Sequence, residues 1–321
     1  MKCYFCFTAP DKENSVYVDL LEVSLKSAAQ NTTLDLYALY DGPDDGSCYE
    51  LLKKYHVTII KHRFSHEHCL DRLYPEDWKL RSFGKIDSNE KISGAFMRLD
   101  IPFVESQDEY VLYADIDVMF LSDIKLEELP HPRFLAAGPE FEKSLDMTYF
   151  NSGVLVLNVP NMREKCLKIF NEMEKGRRES TGIYDQGYLN QFCFQDMEHL
   201  PLEYNWKPYW GYNPDAKIIH FHGMKPGGEF QSSGFALSKN SVSKGIYGGR
   251  DEFGGYLYYI LLYFNVLGKE SNLWVSNFFS DIYSLDNNKL KLRMLRYRKR
   301  FKLSVLVLIV IALFVVGLVL I

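Results

Sequence analysis

Between Tyr110 and Leu121 the chain reads Tyr-Val-Leu-Tyr-Ala-Asp-Ile-Asp-Val-Met-Phe-Leu, an apolar run broken only by Asp115 and Asp117. Such a run predicts a buried strand, on which residues two apart project to the same side. Two carboxylates on one side of a buried strand require a counter-charge, because an unpaired buried anion is strongly disfavoured. A hard divalent cation supplies it. Carboxylate oxygens suit Mg²⁺ or Mn²⁺, and such ions commonly bridge a diphosphate. An isolated Asp-x-Asp is a weak signal, so its meaning depends on the rest of the chain.

Around this run the hydrophobic pattern alternates between strand and helix. Residues 2–9 read as a strand ending at Pro10, and 15–30 as an amphipathic helix carrying Val16, Leu20, Val23 and Leu25. Residues 34–40 form a second strand closed by Asp41-Gly-Pro, followed by a helix at 50–55 and a strand at 57–60. A helix over 92–100 leads into the acidic strand. Short strands follow at 134–137, 154–158 and 217–221, with helices at 162–175 and 184–194. Strands alternating with helices predict an α/β sandwich with a mainly parallel central sheet. No repeat or linker divides residues 1–270, whereas 223–255 is rich in Gly, Ser and Lys and reads as a loop. The aromatic residues of 256–285 are expected beneath this domain or against a membrane surface.

The net charge of −5 argues against nucleic acid as a partner, but it hides an asymmetry. From Asn287 to Lys302 there are eight Lys and Arg and no acid, and the last 19 residues, 303–321, carry no charge. That length would cross a hydrocarbon layer of roughly 30 Å as a helix. The expected organisation is therefore a domain over 1–270, an aromatic then basic juxtamembrane segment over 271–302, and a transmembrane helix over 303–321. The basic collar predicts a single-pass C-terminal anchor with residues 1–302 on the cytosolic side. Cys3 and Cys6 form a CxxC, but inside a strand they point to opposite faces. Reduced thiols are expected for all six cysteines.

Several chemistries are excluded. There is no G-x-G-x-x-G after the first strand and no G-x-x-x-x-G-K-[ST], which argues against a nicotinamide enzyme or a P-loop kinase. A haloacid-dehalogenase-type phosphatase also ends a strand in Asp-x-Asp, but it needs a downstream Gly-Asp that this chain lacks. Three further motifs stand downstream. Phe150-Asn-Ser-Gly-Val-Leu-Val-Leu-Asn158 places a polar turn at the mouth of a strand. Tyr184-Asp-Gln-Gly-Tyr-Leu-Asn190 opens a helix with an acid and an amide. Ile218-Ile-His-Phe-His-Gly-Met-Lys-Pro226 ends a strand with imidazoles, a glycine that permits close phosphate approach, and a lysine.

In this order and spacing the four motifs, with Phe96-Met-Arg-Leu99 before them, resemble glycosyltransferase family 8, the family of glycogenin and the lipopolysaccharide galactosyltransferases. The resemblance covers roughly residues 2–228. It implies the GT-A fold and transfer of a hexose-type sugar from a nucleotide-sugar, a UDP-sugar by expectation, with retention of anomeric configuration. The acceptor would be a glycan or a lipid-linked molecule. By position, Asp115, Asp117 and His220 would hold Mn²⁺, with Mg²⁺ as the alternative. Thr8, Ala9, Arg98, Asp115, Ile116, Asn151, Gly223 and Lys225 would contact the donor. Asp185 would bind sugar hydroxyls and Gln186 would lie beneath the anomeric carbon. The family's Asp-Asp-x-Tyr after the first strand is replaced by Ala9-Pro-Asp-Lys-Glu-Asn-Ser-Val-Tyr17. Gly227 stands where Trp is frequent after Pro226. The competing readings are another GT-A transferase, of inverting or mannosyl type, and a non-catalytic nucleotide-sugar binder.

Two other features compete for a role. The cluster His62-x3-His66-x-His68-Cys69 has the ligand types of a zinc site, but nothing else in the sequence supports one. The aromatics of Tyr204-Asn-Trp-Lys-Pro-Tyr-Trp-Gly-Tyr212 suit either sugar stacking or the core.

Overall fold

The structure, a computed structural model, describes residues 1–9, 15–75, 89–180, 182, 184–223, 225–226 and 250–269, all within one compact unit spanning Met1–Glu270. β1 (Lys2–Thr8), β2 (Asp35–Asp41), β3 (Thr58–Lys61), β4 (Tyr110–Ala114), β6 (Leu135–Pro139), β7 (Phe150–Asn158) and β8 (Glu198–His199) form one sheet in the order β3-β2-β1-β4-β7-β6-β8. Pairs among β3, β2, β1 and β4 are parallel, as is β6–β8, while β7 runs antiparallel to both its neighbours. The mainly parallel α/β sheet is thus as expected. Its central strands β1 and β4 read as nearly unbroken apolar runs because both faces are covered there. Along β1, Tyr4 and Cys6 enter one core while Cys3, Phe5 and Phe7 enter the other. All six cysteines are buried, and none is in a disulfide.

Helix Ser15–Asn31 covers the second core with Leu21, Leu25 and Ala28. Each such fully buried leucine contributes roughly 2 kcal/mol. Its polar residues do a separate job. Phe120 sits on β5 (Val118–Phe120), a short strand outside the main sheet. Its N–H donates to Ser27 Oγ at 3.0 Å, and its carbonyl accepts from Asn31 Nδ2 at 2.8 Å. Helix Val159–Glu174 starts on Asn158, whose side-chain oxygen accepts from the Asn161 N–H at 3.2 Å, with Pro160 in the first turn. Helix Tyr184–Cys193 is locked to the start of β7 by Asn190, whose amide exchanges two hydrogen bonds with the Phe150 backbone at 2.8 and 2.9 Å. Helix Arg250–Leu267 buries Tyr256, Tyr259, Ile260 and Tyr263 within the unit.

Three expectations change. The acidic run is not one strand: β4 ends at Ala114, Asp115–Asp117 make a turn, and β5 pairs instead with β9 (Ile218–His220) in a two-stranded sheet. Two anions and the isolation of β5 by helix Ser15–Asn31 break the run. The Asn-Ser-Gly motif is strand rather than turn, since β7 starts at Phe150 and every residue on it is buried. The expected C-terminal transmembrane helix is also corrected. Among the described residues no helix is long and apolar enough to cross a membrane, and 303–321 lies outside them, as does the basic run 289–302. The single-pass anchor and cytosolic-side location rested on that helix and are withdrawn with it.

Candidate active site

Two antiparallel registers build the site. Along β4–β7, Ala114 pairs with Val154, so the Asp115 N–H donates to the Gly153 carbonyl at 2.8 Å. Along β5–β9, Val118 pairs with His220, and the Phe221 N–H donates to the Asp117 carbonyl at 2.9 Å. The acidic turn is clamped between Gly153 and His220. Ligand atoms of Asp115, Asp117 and His220 all lie within 4.8 Å of one another.

The tautomer of His220 follows from a chain of hydrogen bonds. The Gly153 N–H donates to Asn151 at 3.0 Å, which makes that atom the oxygen; Asn205 Nδ2 donates to the same oxygen at 3.0 Å. The Asn205 oxygen therefore faces His220 Nδ1 at 2.9 Å and accepts its proton. Nε2 keeps its lone pair and points at Asp117 Oδ1, 3.3 Å away, which has no hydrogen-bond donor of its own. Burial lowers the pKa of His220, more than Asp117 restores it, which favours the neutral ligand form. An imidazole lone pair facing an orphaned carboxylate oxygen is an arrangement a cation completes. The O,O,N set fits a hard or borderline divalent ion. Gly153 keeps the space open. A Cβ there would run into His220 Cε1 and come within 2.9 Å of Asp115 Oδ2.

Cationic side chains flank the carboxylates. Lys225 Nζ donates to Asp117 Oδ2 and to the Phe221 carbonyl. Burial would raise the Asp117 carboxyl, but the Lys225 ammonium outweighs it and holds it well below the usual range. Arg98, on the 3-10 turn Met97–Asp100, is buried and bridges two acids: Nη2 lies 3.1 Å from Asp115 Oδ1 and Nε 2.9 Å from Asp185 Oδ2. Its Nη1 donates to the Ser152 carbonyl at 2.5 Å and to Ser152 Oγ at 3.0 Å. Burial pushes Asp185 up to about 6 even against Arg98.

Gln186 stands one residue further along the helix. Its Oε1 accepts from the Ser152 N–H at 2.8 Å and from Ser152 Oγ at 3.0 Å. A backbone N–H can only donate, so the contacting atom is the oxygen. The amide therefore presents its two N–H donors, which have no partner among the described residues.

A cavity of 260 Å³ opens beside the turn. It is lined by Thr8, Arg98, Asp115, Ile116, Asp117 and Lys225 from the expected set, and by Tyr17 and Cys48. Thr8 Oγ1 is buried there without a hydrogen-bond partner. Ala9 is not part of the lining; its N–H is taken by the Asp41 carbonyl at 2.8 Å. Gly223, at φ +84°, does not line it either. Asn151 is tied to the site through Gly153, Asn205 and Gln186.

Sequence reasoning missed Asn205, Ser152, Tyr17 and Glu140. Asn205 lies inside the aromatic segment, whose Tyr204, Trp206, Tyr209 and Trp210 prove to be core; only Tyr212 is exposed. Glu140 belongs to no motif. It pairs with His222 Nε2 at 3.1 Å and accepts from Asn151 Nδ2 at 2.8 Å. Against its burial, these hold its pKa down at about 2.

Lys207, fully buried, donates to the Pro139 carbonyl at 2.8 Å beneath this pair. Burial, only partly offset by Glu140, lowers its pKa from 10.5 to about 7. That difference costs on the order of 5 kcal/mol at pH 7 and below. The unfolded chain binds the extra proton between about pH 7 and 10.5, so stability recovers as pH rises through that window. Lys207→Met is expected to raise Tm, and by more at pH 6 than at pH 9. Denaturation at the two pH values checks both signs.

The family model for glycosyl transferase family 8 matches residues 13–228, more than half of the chain. The chain belongs to glycosyltransferase family 8. It is similar to glycosyltransferase GlyB of Streptococcus pneumoniae serotype 4 (strain ATCC BAA-334 / TIGR4), with 29% identity over 199 residues, 59% of this chain and 45% of that protein. The chain thus spans about half the length of that curated relative. In fold this family 8 glycosyltransferase is similar to GlyE of S. pneumoniae TIGR4, at TM-score 0.51 and 20% identity, covering 86% of this chain and 64% of that one. It is likewise similar to the galactosyltransferase LgtC in complex with donor and acceptor sugar analogs, at TM-score 0.50 and 17% identity, covering 84% and 95%.

Proposed function

We propose that this family 8 enzyme transfers a hexose from a nucleotide-sugar, a UDP-sugar by preference, to a glycan or lipid-linked acceptor, with retention and with Mn²⁺ as the divalent ion. The catalytic domain would be residues 1–270. The observation that carries the reading is the convergence of Asp115, Asp117 and a neutral His220 on a space that Gly153 leaves open. The bound ion would supply positive charge for the departing diphosphate.

The chain's own groups do the rest. Lys225, which pairs with Asp117 in this structure, would place its ammonium where the diphosphate of the donor binds. The orphaned Thr8 Oγ1 and the half-exposed Tyr17 ring suit the nucleoside end of the cavity. Asp185, held by Arg98, accepts from sugar hydroxyls. Gln186 has its oxygen pinned by Ser152, so it offers N–H donors to the sugar rather than a nucleophile. That favours departure and attack on the same face over a covalent intermediate.

The test is transfer or hydrolysis of candidate nucleotide-sugars with chelator, then with Mn²⁺ or Mg²⁺ restored, and proton NMR of the product. Loss in chelator, recovery with Mn²⁺ and an unchanged anomer are expected. Full activity in chelator would remove the metal role; an inverted product would remove the mechanism.

A further inference from the structure

We infer that His66, His68, Cys69 and Glu174 form a second metal centre, far in sequence from the acidic turn, that takes a zinc-class transition-metal ion. The sequence supplies three ligands within four residues, His66-Glu-His-Cys69, and the fold supplies the fourth from more than 100 residues away. Glu174 is the last residue of helix Val159–Glu174. Ligand atoms of His68, Cys69 and Glu174 all lie within 4.8 Å of one another. His66 Nε2 approaches the same Glu174 oxygen at 3.9 Å, and His68 Nε2 reaches it at 2.8 Å.

The second observation is the way His66 is held. Ser65 Oγ donates its only proton to Asp100 Oδ1 at 2.6 Å, so it must accept at its 2.8 Å contact with His66 Nδ1. Nδ1 therefore carries the proton, and Nε2 presents a lone pair toward a carboxylate. At 3.9 Å from Glu174 Oε1, which His68 already engages, that lone pair has no hydrogen-bond partner among the described residues. A carboxylate–hydroxyl–imidazole relay of this kind is how metal-binding histidines are oriented from behind. The His66 ring is further fixed by stacking on Phe170, 4.1 Å between centroids. Asp100 is itself anchored by the Ser65 N–H and His62 Nε2, both at 2.8 Å, which explains why His62 is absent from the ligand set.

The donor types select the ion. One thiolate, two imidazoles and one carboxylate are N2SO donor types that suit zinc and disfavour magnesium or calcium. His68, Cys69 and Glu174 already converge, and with His66 drawn in from its place beside Glu174 four protein ligands would leave no open position, so the centre would be structural. It would tie the segment after β3 to the end of helix Val159–Glu174, on a part of the domain that contributes nothing to the cavity lining described above.

The full chain, dialysed in excess Mg²⁺ to occupy the acidic turn, is the material to test. One equivalent of zinc should be retained. Substitution by Co²⁺ should give tetrahedral visible absorption and a near-ultraviolet thiolate charge-transfer band, which the Asp115–Asp117–His220 set cannot produce. Cys69→Ser should abolish that band. The partly exposed Glu174→Gln and His68→Gln, which spare the buried core, should weaken zinc retention at least 10-fold and lower Tm of the zinc-loaded protein. No retained zinc and no thiolate band in the wild type would overturn the centre, as would a band that survives Cys69→Ser. Loss of activity in chelator is a separate result, and neither outcome depends on the other.

Discussion

Arg98→Met is expected to abolish transfer and to lower stability by about 3–5 kcal/mol, the usual consequence of removing one partner from a buried ionic cluster. The guanidinium lies within 3.1 Å of Asp115 and 2.9 Å of Asp185, and also holds Ser152. No other cation among the described residues contacts Asp185. Its carboxyl already sits at about 6 with Arg98 present, so without it Asp185 would be protonated at neutral pH. A group whose folded pKa lies above its unfolded value is least destabilising below the unfolded value, and its contribution is lost as pH rises through the folded one. The stability deficit of Arg98→Met should therefore be smaller at pH 5 than at pH 8. At 2–4 °C per kcal/mol, a Tm drop of about 10 °C is expected near neutrality. Arg98→Lys should regain part of the stability but little of the activity, because an ammonium cannot span both acids and Ser152 at once. Thermal melts across pH with a transfer assay decide it. An unchanged melt would mean the two acids are not electrostatically dependent on Arg98.

Much of this was legible from residue order alone. The alternation of apolar strands and helices predicted the parallel half of the sheet. Chemistry-bearing side chains in four separated motifs predicted Asp115, Asp117, His220, Asp185 and Gln186. What the sequence did not carry was how these meet. A local period of two placed the aspartates on one strand face. In the fold they occupy a turn between two sheets, a consequence of β5 pairing with β9, a strand about 100 residues later. Asn205 was invisible because its function lies in fixing a tautomer, which depends on Gly153, Asn151 and His220 together. Glu174 was invisible for the same reason: a charged residue at a helix end reads as solvated until the loop carrying His66, His68 and Cys69 is laid against it. Asparagine and glutamate at such positions are common, and only tertiary contact distinguishes these.

Gly153→Ala should separate the metal site from the fold more cleanly than any ligand substitution. A single methyl would occupy the space between His220 and Asp115, approaching His220 Nδ1 and Asp115 Oδ2 to 2.9 Å and overlapping His220 Cε1. His220 can yield only at a cost: it is buried, fixed in register with Val118, and its Nδ1 is held by Asn205. Gly153 is equally fixed, because the adjacent Val154 pairs with Ala114 on β4. The methyl must therefore displace the imidazole Nε2 from Asp117 or spread the β4–β7 pair. Overpacking of this kind costs about 1–3 kcal/mol, which a domain of this size tolerates, so the protein should remain folded with a Tm only a few degrees lower. Mn²⁺ affinity should fall at least 100-fold, since ligand geometry is lost while both carboxylates remain. Transfer should fall by at least about 10³-fold at Mn²⁺ concentrations that saturate the wild type, equivalent to about 4 kcal/mol of transition-state stabilisation. Mn²⁺ titration by electron paramagnetic resonance, beside a melt of the same sample, reads both quantities. Unaltered Mn²⁺ affinity in a folded Gly153→Ala protein would detach the ion from His220 and from the open space at Gly153, and with it the metal-bound reading of the acidic turn.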